Sequence, residues 1–76
     1  MTKQQTQTVT IYTHPDCTYS TAAKIEFRER GISYKEIDVS LHPEAVPDLE
    51  RLTGGERITP VIVENGQVIV GFKGVG

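Results

Sequence analysis

A lone cysteine, Cys17, and a serine three positions on, Ser20, are the residues of this chain best suited to covalent chemistry. Cys17 stands where a short apolar strand, Val9–Thr13, gives way to a helical pattern over residues 18–30, so it falls at a helix N-terminus. Unpaired N–H groups and the positive end of the macrodipole at that point favour a thiolate over a thiol. The chemistry expected is nucleophilic attack by sulfur. Ser20 has two readings: its hydroxyl donates to the thiolate and lowers the thiol pKa, or it packs with that hydroxyl bonded to a preceding carbonyl. A third makes it a substituted cysteine. Asp16, next to the sulfur, acts against ionisation by like-charge repulsion and partly offsets a dipole worth about 0.3–1 kcal/mol at an exposed site.

Composition narrows the surroundings of that cysteine. A chain of 76 residues has room for one small domain with a thin core. A formal charge of −2, with no basic stretch interleaved with aromatic residues, argues against nucleic acid as a partner. One cysteine forms no internal disulfide, and neither metal-ligand spacing nor a glycine-rich phosphate loop is present, so no resident cofactor is expected. A reducing, cytoplasmic compartment follows as the expectation. Residues 1–8 read as a flexible polar tail without the apolar segment of a signal peptide, and residues 9–76 as one domain. No apolar run approaches the roughly 18 residues of a membrane span.

The elements that must position Cys17 follow from periodicity. The first strand stops at the turn-prone His14-Pro15-Asp16. In the helix after it, Ser20, Ala23, Phe27 and Arg30 share a face, Ile25 lies off it, and Gly31 stands where a left-handed residue closes a helix. Residues 34–39 predict a second strand, parallel to the first because a whole helix separates them. Pro43 opens a second helix capped by Ser40 or His42, with Ala45, Val46, Leu49 and Leu52 inward, Pro47 tolerable only in its first turn, and Gly54-Gly55 at its end. Residues 61–63 and 68–70 flank Asn65-Gly66, a strong hairpin signal. Neither triplet alternates, so both faces of the hairpin are expected to be buried.

This βαβαββ order, with a nucleophile after the first strand, resembles a glutaredoxin of the thioredoxin fold over residues 9–72. Tyr12-Thr13 enters the active-site loop, Cys17-Thr18-Tyr19-Ser20 stands where the family usually has Cys-Pro-Tyr-Cys, and Ala23-Lys24 follows at the family's spacing. Gly31, Tyr34 and Glu36-Ile37-Asp38-Val39 continue the match. Thr59-Pro60 is similar to the family's cis-proline step, and Gly71-Phe72 to the close of strand four in redoxins. The Cys-x-x-Ser motif is also similar to the cysteine form of the UXX-star glutaredoxin-like group. The fold implied is α/β, a four-stranded mixed sheet with two helices and no third helix.

The resemblance implies a monothiol thiol–disulfide oxidoreductase. Cys17 attacks a mixed disulfide, and because Ser20 forms no disulfide, glutathione or another small thiol must serve as co-substrate. Catalytic roles fall to Cys17 and Ser20. The ligand groove would be formed by His14, Tyr19, Arg57, Thr59, Pro60, Gly71 and Phe72. His14 replaces the family's lysine three positions before the nucleophile and is either an anion partner or a loop residue. Thr59 replaces a valine that acts through its backbone, pairing with a ligand as an added strand. Pro60 reads as cis or as a trans edge residue, and Arg57 as a carboxylate partner or a solvated loop residue. Gly71-Phe72-Lys73-Gly74 replaces the Gly-Gly-x-Asp segment that grips the γ-glutamyl end of glutathione.

Two other functions compete. An arsenate-reductase-like enzyme shares the fold and the Cys-x-x-Ser motif but has an inserted helical subdomain, for which this chain has no counterpart. An iron–sulfur carrier would hold a cluster between two subunits through Cys17 and external thiols, although Thr18-Tyr19 leaves less room than the Gly-Phe of monothiol relatives. A disulfide-bearing protein or small thiol is the expected partner, together with a homodimer through the sheet face that two helices leave uncovered.

Overall fold

The computed structural model describes residues 9–72. Strand β1 (Val9–Thr13) leads into helix α1 (Thr18–Glu29), followed by β2 (Lys35–Asp38), a 3₁₀ turn (Pro43–Ala45), helix α2 (Val46–Thr53), β3 (Val61–Glu64) and β4 (Gln67–Val70). The sheet runs in the order β2-β1-β3-β4, with β1 parallel to β2 and antiparallel to β3, and β4 antiparallel to β3. The mixed four-stranded, two-helix arrangement expected from sequence is therefore the one found. The expected tail at residues 1–8, and the region beyond Phe72 on which the absence of a third helix was read, lie outside the described residues.

Alternation along the strands produces two cores, one on each side of the sheet. Val9 and Ile11 of β1 meet Ile62 of β3 and the α1 residues Ala23 and Phe27, with Ile32, Tyr34 and Phe72 packed around them. On the other side Val61 joins Val39, Ala45 and Leu49 under α2, with Tyr12, Ile37, Val46, Leu52 and Val63 at the margin. Adjacent residues Val61 and Ile62 thus serve opposite cores, which is why the β3 triplet does not alternate.

The β4 triplet has a different cause. Val68, Ile69 and Val70 are 41%, 43% and 40% exposed, so the expectation of a hairpin buried on both faces holds for β3 and fails for β4. As the edge strand, β4 lies beyond the reach of both helices.

Two further corrections concern helix ends. Arg30 does not share the buried face of α1: it caps the helix and turns its guanidinium back to Glu26 at 3.4 Å. The second helix does not start at Pro43. That proline begins the 3₁₀ turn, with His42 at its cap, and the α-helix starts at Val46 so that Pro47 falls within its first turn, where a missing N–H costs nothing. Ser40 instead donates its hydroxyl to Asp38 Oδ1 at 2.6 Å. Asn65 at φ 52° and Gly66 at φ 83° make the two-residue hairpin turn that the dipeptide predicts.

Candidate functional site

Parallel pairing of β1 with β2 brings both C-terminal ends to one edge of the sheet, and the loop leaving β1 delivers Cys17 there as the N-cap of α1. The loop is tied internally. The Cys17 N–H donates to the His14 carbonyl at 3.0 Å, and the Asp16 N–H donates to His14 Nδ1 at 3.1 Å. The first turn of α1 closes on the Cys17 carbonyl, which accepts from the N–H groups of Ser20 at 3.1 Å and Thr21 at 3.3 Å. The backbone of Cys17 is therefore fixed on both sides, and its half-buried sulfur projects from the helix start.

The opposite wall comes from the segment before β3. The Thr59-Pro60 peptide is cis, as the resemblance implied, and Pro60 is buried. This conformation brings the Thr59 carbonyl to the sulfur, where it accepts from Sγ at 3.1 Å across 42 positions of sequence. The Pro60 carbonyl accepts from the Gly71 N–H at 2.7 Å, so the end of β4 braces the proline segment from behind. Gly71 takes φ 86°, a left-handed conformation that favours glycine, and directs Phe72 onto the α1-side core. Gly71 thus supports the wall from behind, and Phe72 packs against the core beneath α1.

Ser20 is 1% exposed and lies in the first turn of α1. Its Oγ accepts from the His14 N–H at 3.4 Å, on the loop that leads to Cys17. The thiol pKa reflects opposing influences. Burial raises it, but hydrogen bonds from the Ser20 hydroxyl, then from Thr59, then from the backbone N–H groups of Ser20 and Tyr19 outweigh burial and hold Cys17 below the ordinary cysteine range. Asp16 is not among these leading influences. The Thr59 carbonyl receives the proton of the neutral thiol, whereas hydroxyls and amides serve the ionised sulfur.

The remaining expected site residues separate into two groups. Tyr19, 41% exposed, stands in the first turn of α1 two residues after Cys17. His14 lies at the base of the loop with one ring nitrogen committed to Asp16. Arg57 is on the surface and donates Nε to Glu50 Oε2 at 2.8 Å, so its guanidinium is engaged with α2. Sequence reasoning missed Glu50, although the Gly54-Gly55 reversal at the end of α2 is the signal that folds Arg57 back toward it. It also missed a network under the loop. Thr13, 1% exposed, donates its hydroxyl to Glu36 Oε2 at 2.7 Å, and Lys24 Nζ donates to the same oxygen at 2.9 Å. The hydrogen bond from Lys24, then that from Thr13, holds the Glu36 carboxyl below its usual range. This network ties α1 to β1 and β2 just behind the active loop.

Among the described residues, no group of His, Cys, Asp and Glu side chains could hold a metal ion, and no helix is long and apolar enough to cross a membrane. A cleft of about 320 Å³ between β2 and the 3₁₀ turn, lined by Lys35, Ile37, His42 and Asp48 among others, lies away from the sulfur.

A four-stranded mixed sheet with a cysteine at the first helix N-terminus, facing a cis-proline, defines a thiol-redox protein of the thioredoxin-like class. The glutaredoxin family model matches residues 9–69. A glutaredoxin of Neisseria meningitidis is 36% identical over 66 residues, spanning 86% of this chain and 75% of that protein. Among solved structures, the glutaredoxin-like NrdH-redoxin of Escherichia coli, which has a thioredoxin-like activity profile, is 33% identical at a TM-score of 0.76, covering 87% of this chain and 84% of that one. The glutaredoxin of Brucella melitensis is 32% identical at a TM-score of 0.68, over 83% and 67% of the two chains. The chain belongs to the glutaredoxin family.

Proposed function

We propose that the protein is a monothiol thiol–disulfide oxidoreductase in which Cys17 is the nucleophile and Ser20 a donor to its thiolate. The supporting observation is the surroundings of Sγ: half-buried at the start of α1, beside the Thr59 carbonyl at 3.1 Å, with a thiol pKa that hydrogen bonding lowers against the effect of burial. The Cys17 thiolate attacks one sulfur of a mixed disulfide. The new S–S bond joins that half to Cys17, and the other half leaves as a thiolate that takes a proton from water. Because Ser20 cannot resolve the adduct, an external small thiol, glutathione or another, attacks it and regenerates Cys17. The exposed Tyr19 and the backbone around Thr59-Pro60 supply the groove for the substrate chain, in the cytoplasmic setting expected of a reduced thiol. The test is alkylation of Cys17 by iodoacetamide as a function of pH: a midpoint below that of a free cysteine peptide supports the reading, and one at or above it refutes it.

A second reading concerns assembly. Val68, Ile69 and Val70 leave apolar surface on both faces of an edge strand, which favours a second copy of the chain paired along β4. Sedimentation velocity checks it. A dimer that Ile69→Lys dissociates supports the pairing, and a monomer at high micromolar concentration refutes it.

A further inference from the structure

Charge around the sulfur sets which disulfides can approach it. Arg57 is carried on the loop that ends at Thr59, two residues from the carbonyl that meets Sγ, and is the arginine nearest in sequence to that wall. Its Nε is taken by Glu50 at 2.8 Å. The C-terminal turn of α2 keeps this pairing in register: the Gly55 N–H donates to the Glu50 carbonyl at 2.6 Å, and the Glu56 N–H donates to Thr53 Oγ1 at 2.9 Å. On the other wall, His14 Nδ1 is engaged by the Asp16 N–H at 3.1 Å. Asp16 precedes Cys17 in the chain and Glu56 precedes Arg57, and both are acidic.

We infer that Glu50 is a specificity-determining residue: by occupying Arg57 it leaves the nucleophile among acidic groups, and so directs Cys17 to disulfides that are neutral or cationic near the scissile bond and away from anionic ones. This rests on the oxidoreductase reading above. The step is the same exchange, with the S–S bond of the substrate broken, one half joined to Sγ and the other released as a thiol; only the rate for charged substrates depends on Glu50.

The experiment measures second-order rates of Cys17 adduct formation by intact mass at low ionic strength, with glutathione disulfide as the anionic probe and hydroxyethyl disulfide as the neutral one. The ratio of the two rates cancels the intrinsic reactivity of the sulfur. Glu50→Gln should raise the anionic-to-neutral ratio about two- to five-fold, the range of an exposed ion pair, and 1 M salt should remove most of the gain. Adding Arg57→Gln to Glu50→Gln should return the ratio to that of the parent protein. Asp48→Asn, which removes a charge from the same helix, should leave the ratio near the parent value. An unchanged ratio in Glu50→Gln, a gain that survives loss of Arg57, or an equal gain in Asp48→Asn overturns the inference. Failure of the neutral disulfide to modify Cys17 in every variant overturns the oxidoreductase reading instead.

Discussion

Replacing Ser20 with alanine removes the hydroxyl proposed to donate to the Cys17 thiolate while leaving the helix intact, because alanine is a better helix former than serine. A hydrogen bond to a charged group contributes about 1.5–3 kcal/mol, and the half-open position of Sγ places this one at the low end. About 1.4 kcal/mol is a factor of ten, so at pH values below both thiol pKa values Ser20→Ala leaves roughly a tenth of the thiolate. The sulfur that does ionise is more basic, and a Brønsted coefficient of about 0.4–0.5 returns about threefold in nucleophilicity. The two pH–rate curves therefore cross. Alkylation of Ser20→Ala should be about threefold slower on the acidic limb, below both thiol pKa values, and about threefold faster on the alkaline plateau. Stopped-flow alkylation with iodoacetamide, with circular dichroism to verify the fold, measures both limbs. Superimposable curves would refute the role given to the hydroxyl, and a uniform drop at every pH would show that Ser20 serves packing alone.

Three further outcomes follow from the same geometry. Ser20→Cys places a second sulfur one turn along from Cys17, within disulfide reach, so the adduct with hydroxyethyl disulfide should collapse to an internal disulfide, read as loss of the adduct mass. Thr13→Val leaves a buried hydroxyl site without its bond to Glu36 and should cost about 1–2 kcal/mol in urea unfolding. Glu36 has a depressed folded-state pKa, so its contribution is full above the usual glutamate range and is lost as pH falls through the folded value. Glu36→Gln should accordingly cost about 0.5–1 kcal/mol at pH 7, discounted for partial exposure, and nothing at pH 2. Equal stability differences at both pH values would contradict this account.

Local signals carried most of the fold. The alternation of β1, the Ala23 and Phe27 spacing of α1 and the Asn65-Gly66 turn are short-range features, and each predicted its element. What remained hidden depends on distant partners. The pattern of residues 68–70 matches that of residues 61–63, yet only β3 lies between two layers, because strand order and helix reach decide burial. Pro43 and Pro47 both suit a helix start, and the 3₁₀ turn between them resolves a competition that propensity alone leaves open. In the site, the place of Cys17 at a helix start was legible from the strand before it and the cis Thr59-Pro60 step came through resemblance, whereas the contact of Sγ with the Thr59 carbonyl was not foreseen. The Arg57–Glu50 pair spans a helix end and a reversing turn, and Thr13, Lys24 and Glu36 belong to three elements. No spacing rule brings such groups together before the sheet is assembled.

The central claim is that Cys17 alone carries the exchange and that an external thiol completes it. Intact-mass spectrometry of the reduced protein, mixed with hydroxyethyl disulfide at neutral pH and then with a small monothiol, tests it most directly. The account predicts one adduct at Cys17, formed faster than on a free cysteine peptide, absent in Cys17→Ser and released by the added thiol. No adduct, or formation no faster than on the peptide, would contradict it.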